Sequence, residues 1–359
     1  MNVPTTTSLI GLLALATGLS AKPEAFDAAA VQEACDRGAK FLISEQWASG
    51  AIQFGGRGGK AHEDLHPPAK SIAMTSLAIL GLAAIGHTPS DPTDEGRCMR
   101  DAIDFVLRPQ HRDRNGYFGR ADGSQMYGHG ITALMLTEMV GMGADEEQDG
   151  RIHEACKDAI RLIVRAQRVG KEQRHRGGWR YKPDSTDSDL SVTVWQLMAL
   201  RAGKNAGLDV PKEVIDRAVA YVRRCYNPRR RGFAYEANSG DVRFSTAAEG
   251  LLSMQVCGQY EADEVRRAAD YLLERSPEQE KQWFYYGLYY YAQGMAQRGG
   301  EHASTAKQST SRVLLKRQAR DGSWRTHGGN EGDGGPIYAT SMALLSLSIH
   351  HNYLPIYQR

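Results

Sequence analysis

The sequence predicts an all-α protein: six helix hairpins closed into one (α/α)6 toroid, with an outer ring of amphipathic helices around an inner ring of apolar ones. Three observations carry this expectation. A short pattern recurs along the chain: a large apolar residue, an aliphatic one, three further residues and usually Gln. A loop bearing an aromatic residue, in most copies rich in glycine, follows each occurrence. Each loop then leads into a helix-length segment that is apolar on nearly every side, as suits a helix buried all round.

The first copy is Phe41-Leu42…Gln46, followed by the loop around Phe54 and an inner segment over 71–85, where Met74, Leu77, Ala78, Leu80 and Leu82 leave no polar face. The second is Phe105-Val106…Gln110, with Phe118 in its loop and an inner segment over 129–140. The third is Leu162-Ile163…Gln167, with Trp179 and the segment 189–200. The fourth, Tyr221-Val222…Tyr226, is degenerate but keeps Val214, Ala218 and Val222 at helical spacing, Phe233 in the loop and the segment 245–256. The fifth, Tyr271-Leu272…Ser276, turns Val265, Ala268, Ala269 and Leu272 one way and charged residues such as Arg266 and Asp270 the other. Trp283 replaces its loop aromatic without the glycines, before the segment 284–295. The sixth is Val313-Leu314…Gln318, with Trp324 and the segment 338–349. Glycine lets the backbone turn sharply and the ring packs under the turn. Helices with a charged face alternate with greasy ones, which implies two concentric layers. Neither end of the chain reads as a polar cap. Tyr353-Leu354-Pro355-Ile356-Tyr357 is an apolar tail that must cover something, and a closed ring needs no capping repeats.

Lys and Arg number 44 against 42 Asp and Glu, a net charge of +2, so no overall field draws nucleic acid or an anionic membrane. Arg229-Arg230-Arg231 reads as solvated loop charge. The five cysteines, Cys35, Cys98, Cys156, Cys225 and Cys257, are scattered and form no CxxC pair, which makes them core fillers. No stretch reaches the ~20 apolar residues of a transmembrane helix. The run Leu9 to Leu19, followed by Ser20 and Ala21, resembles a secretory signal peptide over 1–21, although no Lys or Arg precedes it. That division leaves 28–359 as one toroid domain and places the protein outside the cell or in the periplasm; without export it stays in the cytoplasm.

Residues Val313 to Trp324 (VLLKRQARDGSW) resemble the QW motif of squalene cyclases, and Arg37 to Phe41-Leu42…Gln46 match its first half. From about residue 28 onward the chain is similar to the prenyltransferase and squalene-oxidase repeat superfamily of terpenoid cyclases and protein prenyltransferases. The run from Met126 (MYGHGITAL), the run Gly177 to Pro211 and the ending YATSMALLSL…YLPIYQR resemble a bacterial single-toroid branch, similar to squalene-hopene cyclase. The resemblance implies a central cavity for an apolar, isoprenoid-type small molecule. It also implies proton-initiated cyclisation, the work of a DxDD motif at the start of an inner helix in class II cyclases. Asp187-Ser188-Asp189-Leu190 occupies that place, which makes Asp189 the acid with Asp187 beside it, while Leu190 replaces the last carboxylate. Protonating an alkene needs a carboxylic acid held neutral in a pocket free of water. The same two aspartates also suit plain helix capping, a contribution of about 1 kcal/mol.

A cyclase cavity needs aromatic faces that stabilise cations. Tyr286, Tyr289 and Tyr290 share one helical face, and Trp179, Trp195 and Tyr127 complete the candidate lining. His129, at the start of the second inner segment, is a candidate base or binding residue. Packing and capping are the structural alternatives for all of these. His62-Glu63-Asp64-Leu65-His66 offers possible ligands without HExxH order, and the Asp187 region lacks the DxC of zinc prenyltransferases, so no metal is expected. There is no P-loop, dinucleotide fingerprint, nucleophile elbow or CGEQ thioester sequence, and no cofactor is expected. Three classes of function stay open. The first and leading one is a terpenoid cyclase-like protein with Asp189 as acid. The second is a non-catalytic exported toroid that binds a ligand or protein at its rim. The third is a polysaccharide-active toroid enzyme, in which Arg180, Tyr181, Asp184 and His129 matter most.

Overall fold

The structure is a computed structural model and describes residues 27–53, 69–326 and 328–358. The leader-like segment, Phe54 and the His62 to His66 run lie outside the described residues. The outer helices are α1 (Ala28–Ser44), α3 (Asp94–Val106), α5 (Glu146–Gln167), α7 (Lys212–Cys225), α9 (Asp263–Leu273) and α11 (Gly300–Arg317). The inner helices are α2 (Ser71–Ala84), α4 (Gln125–Met139), α6 (Leu190–Asn205), α8 (Phe244–Val256), α10 (Phe284–Arg298) and α12 (Gly335–Leu347). Each inner helix packs on the next, and α12 packs on α2, so the ring closes as an (α/α)6 toroid.

The layering follows the sequence pattern. In α9, Val265, Ala268, Ala269 and Leu272 are buried while Arg266, Arg267 and Asp270 face solvent. In α2, Met74 alone escapes full burial. The recurring Gln joins one hairpin to the next. Gln46 Nε2 donates to the carbonyls of Gly50 (3.1 Å) and of Cys98 on α3 (2.8 Å). Gln167 does the same to Gly177 and to Val214 on α7, both at 2.9 Å. Gln318 reaches Gly322 (2.9 Å) and Ala34 on α1 (2.8 Å), which ties the sixth outer helix to the first and closes the outer ring. The three turn glycines, Gly50, Gly177 and Gly322, have φ of +90°, +92° and +88°, and a Cβ at any of them would collide with a backbone carbonyl of the neighbouring outer helix.

The loop tryptophans sit under their turns: Trp179 Nε1 donates to Ile163 O and Trp324 Nε1 to Leu314 O, each at 2.9 Å. Their amides donate to Thr193 and Thr340 on the inner helices, each at 3.0 Å. Among the described residues, strand structure amounts to a two-residue antiparallel ribbon, Tyr226–Asn227 with Gly232–Phe233, in the loop between α7 and α8, plus isolated bridges. No described helix is long and apolar enough to cross a membrane. The apolar tail does cover something. Leu354, Ile356 and Tyr357 are buried against the inner ring. The Ile356 amide donates to Glu138 Oε2 near the end of α4 (3.2 Å), and the Tyr357 and Tyr289 hydroxyls pair. The tail closes the ring's centre at the C-terminal ends of the inner helices.

Candidate functional site

All six inner helices run the same way, so their N-termini surround the end opposite the tail. Their first turns line a cavity of about 400 Å³, with Tyr127 of α4, Trp195 of α6, Tyr286 of α10 and Tyr338 of α12 on its walls. A second lobe of about 260 Å³ is lined by Ser191, Tyr235, Asp241, Arg243 and Glu249. Tyr127, Tyr181, Trp283, Tyr286 and Asn330 belong to both lobes, which makes them one cup. Its floor is Trp195, whose ring stacks on Tyr289 (centroids 6.0 Å apart, planes at 14°), and Tyr289 rests on the tail through Tyr357.

Glu249 is the most unusual group in the cup. It is 1% exposed, on α8, and its Oε2 has no hydrogen-bond partner among the described residues. Burial pushes its carboxyl well above the usual range, the Ser191 hydroxyl bond opposes the shift, and the charges of Asp189 and Glu280 add to it. Burial of this kind favours the protonated form, from which a carboxyl can donate a proton. Burial likewise raises the hydroxyls of Tyr127, Tyr286, Tyr290 and Tyr338 around it.

Three other carboxylates hold helix ends. Asp122 accepts from the amides of Ile72 (3.0 Å) and Ala73 (3.1 Å) at the start of α2. Asp189 accepts from Val192 (2.8 Å) at the start of α6. Glu331 accepts from Tyr285 (3.1 Å), Tyr286 (2.8 Å) and the Tyr338 hydroxyl (2.8 Å) at the start of α10. A carboxyl thus meets the N-terminus of every second inner helix.

The residues singled out in the sequence fall into three places. Tyr127, Trp195 and Tyr286 meet in the cup. Tyr289 lies beneath its floor, and Tyr290 stands behind Tyr286, ring centroids 4.8 Å apart. Asp187 and Asp189 belong to a cluster around Arg180 behind the cavity wall. Arg180 Nε is 3.2 Å from Asp189, and its Nη1 is 3.6 Å from Asp187 and 2.7 Å from Glu236. Burial pushes Asp189 up to about 7 against the opposing Val192 amide and Arg180. Arg180 also lies over the rings of Tyr181 and Tyr235, 5.1 and 5.7 Å from their centroids, and so braces the rim residue Tyr181. Asp184 is exposed in the same loop. Trp179 and His129 lie between the two helix rings. The Phe118 amide donates to His129 Nδ1 (3.4 Å), so Nε2 carries the proton and faces Ala159 O (3.2 Å). Burial lowers its pKa to about 4. In the second hairpin His129 does what Thr193 and Thr340 do in the third and sixth: it receives the amide of the loop aromatic.

Sequence reasoning missed Glu249, Tyr338, Glu331 and Asp122. For Glu249 a signal existed, since it is the single charged residue of α8. Among the described residues, no cluster of three or more His, Cys, Asp or Glu is arranged to hold a metal ion.

No protein-family model matches the sequence, and a search of curated proteins finds no match. Solved structures do match over most of its length. The chain is similar to cellobiose 2-epimerase from Spirochaeta thermophila, with 12% identity, 89% of this chain and 97% of that chain covered, and a TM-score of 0.58. It is similar to a possible member of the GH105 family from Salmonella enterica serovar Paratyphi A, with 13% identity, 92% and 96% covered, and a TM-score of 0.53. It is also similar to Rex8A from Paenibacillus barcinonensis, solved in complex with xylose, with 11% identity, 92% and 95% covered, and a TM-score of 0.52. At these identities the likeness is one of fold.

The isoprenoid expectation is corrected by these findings. The matched toroids include a cellobiose epimerase and a xylose complex, and the cup itself argues the same way. An acid that protonates an alkene must face a dry pocket. Asp189 instead caps α6, faces Arg180 and does not line the cup, while Lys70, Gln125, Asn330 and Arg243 give the mouth a polar rim. Neither an apolar isoprenoid ligand nor cyclisation started by Asp189 fits this arrangement.

Proposed function

We propose that the cup binds the end of a carbohydrate chain and that Glu249 donates a proton to the oxygen of a glycosidic bond. The observation that carries this reading is a buried carboxyl, its pKa raised by burial and one of its oxygens without a partner among the described residues, facing a ring-walled cavity with a polar rim. The rings of Trp283, Tyr286 and Tyr338 offer negative π faces to the weakly positive C–H faces of a pyranose. Gln125, Asn330 and Arg243 offer hydrogen bonds to its hydroxyls. The larger lobe lies within the ~300–1,000 Å³ of small-molecule sites. Its closed floor means that a polymer enters by an end. That solved toroids of the same fold act on cellobiose or hold xylose supports a sugar over other polar ligands.

Hydrolysis needs a second carboxylate to take a proton from water while the acid protonates the leaving oxygen. Of the other described carboxylates on the cup, Glu331 is held by three donors, which leaves Asp241, ion-paired with Arg243 at 2.7 Å in the same lobe as Glu249. The C–O bond breaks as Glu249 gives up its proton, and water, deprotonated by Asp241, adds to the sugar carbon.

The test is chromatography of products from cello-, xylo- and galacturono-oligosaccharides, incubated with the wild type and with Glu249→Gln. The wild type releases sugars from one chain end, and Glu249→Gln loses roughly 10²–10⁴-fold in rate while still binding, the usual loss for a general acid. The wild-type rate falls as pH rises through the raised pKa of Glu249. Equal products from both proteins, or no saccharide bound by either, would overturn the reading.

A further inference from the structure

The outer wall carries a charge pattern unconnected with the cup. His153, Lys157, Arg161 and Arg165 follow one another at four-residue steps along α5, and Arg168 caps its end, so they form a single stripe. The stripe borders a crevice of about 570 Å³ against the 207–211 loop before α7, floored by the apolar Ile160, Val164, Leu208 and Pro211. Past Arg168 the crevice continues into a second stretch of about 570 Å³ bordered by Lys171, Arg176 and Arg217. It ends beside the 180–189 loop, where Lys171 Nζ holds the carbonyls of Ser185 (2.6 Å) and Asp187 (2.9 Å) and Tyr181 reaches the cup.

The two stretches are bordered by seven Lys or Arg against Asp209 and Glu213, whereas the whole chain carries only +2. Positive charge is therefore concentrated on this wall and the rest of the molecule is net negative. Lys157 and Arg161 are paired with Glu154 and Asp158 of their own helix, at 2.9 and 2.8 Å. Of the other five, Lys171 feels the charge of Asp187, and Arg165, Arg168, Arg176 and Arg217 have no carboxylate ion-pair partner among the described residues. Arg165 and Arg176 bond neutral backbone carbonyls, and Arg217 donates to the Gln167 side-chain oxygen, so their charge is not cancelled, whereas Lys171 is buried and bonds the carbonyls of the 180–189 loop.

We propose that this crevice is a docking track for an acidic polysaccharide, a linear chain of carboxylated or sulfated sugars. A row of uncancelled cations over an apolar floor complements such a chain, whose sugar faces are apolar and whose edges are anionic. Among the described residues no Phe, Tyr or Trp lines the crevice, so these residues offer none of the stacking platforms that hold single-stranded nucleic acid. The track does not depend on the chemistry assigned to Glu249, and it fails or stands separately from it.

The experiment measures binding of the full chain to polygalacturonate, neutral dextran and a short DNA duplex at rising salt. Arg165→Gln/Arg168→Glu is compared with Arg266→Glu/Arg267→Glu on the outer helix α9, which does not line the crevice, as a charge control, and melting temperatures verify folding. The Arg168 side chain makes no hydrogen bond or ion pair among the described residues, while its amide donates to the Arg165 carbonyl at the end of α5, so Arg168→Glu alone serves if the double variant is unstable. Polygalacturonate binds better than dextran and weakens with salt, as screening requires. The track variant loses at least tenfold and the control keeps its affinity. The proposal is overturned if polygalacturonate binds no better than dextran, if both variants lose affinity alike, or if DNA binds more tightly than polygalacturonate.

Discussion

Two glutamates, Glu138 and Glu249, are the single carboxylates of inner helices α4 and α8, and each has an oxygen without a partner among the described residues. Glu138 lies at the floor, where burial pushes its carboxyl up to about 8 and the Ile356 amide opposes the shift. Its folded pKa exceeds the unfolded value, so the stability it contributes is complete below about pH 4.5 and is lost as pH rises to about 8. Glu138→Gln keeps an acceptor for Ile356 and removes that loss. Thermal unfolding should show wild type and variant alike near pH 4.5, with the variant more stable at pH 9 by on the order of a few kcal/mol. A gap of the same size at both values would contradict the buried neutral carboxyl. His129 has the opposite sign: its pKa falls from 6.5 to about 4, so its contribution is present above pH 6.5 and lost as pH drops towards 4. Since it does the work of a repeat threonine, His129→Thr should retain saccharide turnover within about twofold and cost no more than ~2 kcal/mol. A hundredfold loss of turnover would make it a catalytic residue. At this scale Tyr127 and Trp195 are legible in the sequence by their size, whereas Glu249, a lone charge in α8, gains its meaning when rings from α4, α10 and α12 gather around the cup.

Between residue and ring stands the hairpin, and its grammar was legible because it is local. The Gln, the turn glycine and the aromatic recur within a few residues of one another, and each has a physical partner: a carbonyl on the next outer helix, a close backbone approach, a bond back to its own helix. Gln318→Ala breaks two such bonds, one of them joining α11 to α1, and should lower stability by about 1–3 kcal/mol. Gly322→Ala should cost more, because its positive φ and the Arg37 carbonyl both exclude a methyl group. Denaturant titration of the two variants checks the order, and a neutral Gly322→Ala would remove the close-approach explanation. The start of α4 at Gln125, four residues before the expected 129, and the capping of α2 by Asp122 and α10 by Glu331 were not legible. Those caps come from loops that are distant in sequence, and no local pattern specifies them.

At the scale of the whole molecule, closure and plugging belong together. The ring closes where Gln318 meets Ala34 and α12 meets α2, and the tail then turns the central channel into a cup. Deleting residues 353–359 should uncover Tyr289 and the channel floor, lower the melting temperature and raise binding of a hydrophobic dye, while the helical content by circular dichroism stays close to the full chain's. A truncated chain with unchanged melting and no added dye binding would show that the tail is not a plug. That an apolar tail must cover something was legible, but the ligand was not, since one toroid hosts several chemistries and the cup is assembled from residues of different hairpins. On the proposed reading, this cup receives the end of a sugar chain at Glu249. A crystal structure of Glu249→Gln soaked with cello- and xylo-oligosaccharides tests it most directly. The prediction is a terminal pyranose stacked on Trp283, Tyr286 or Tyr338, with its glycosidic oxygen in hydrogen-bond reach of the substituted side chain. Saccharide found only outside the cup, or bound within it with no sugar oxygen near position 249, would contradict it.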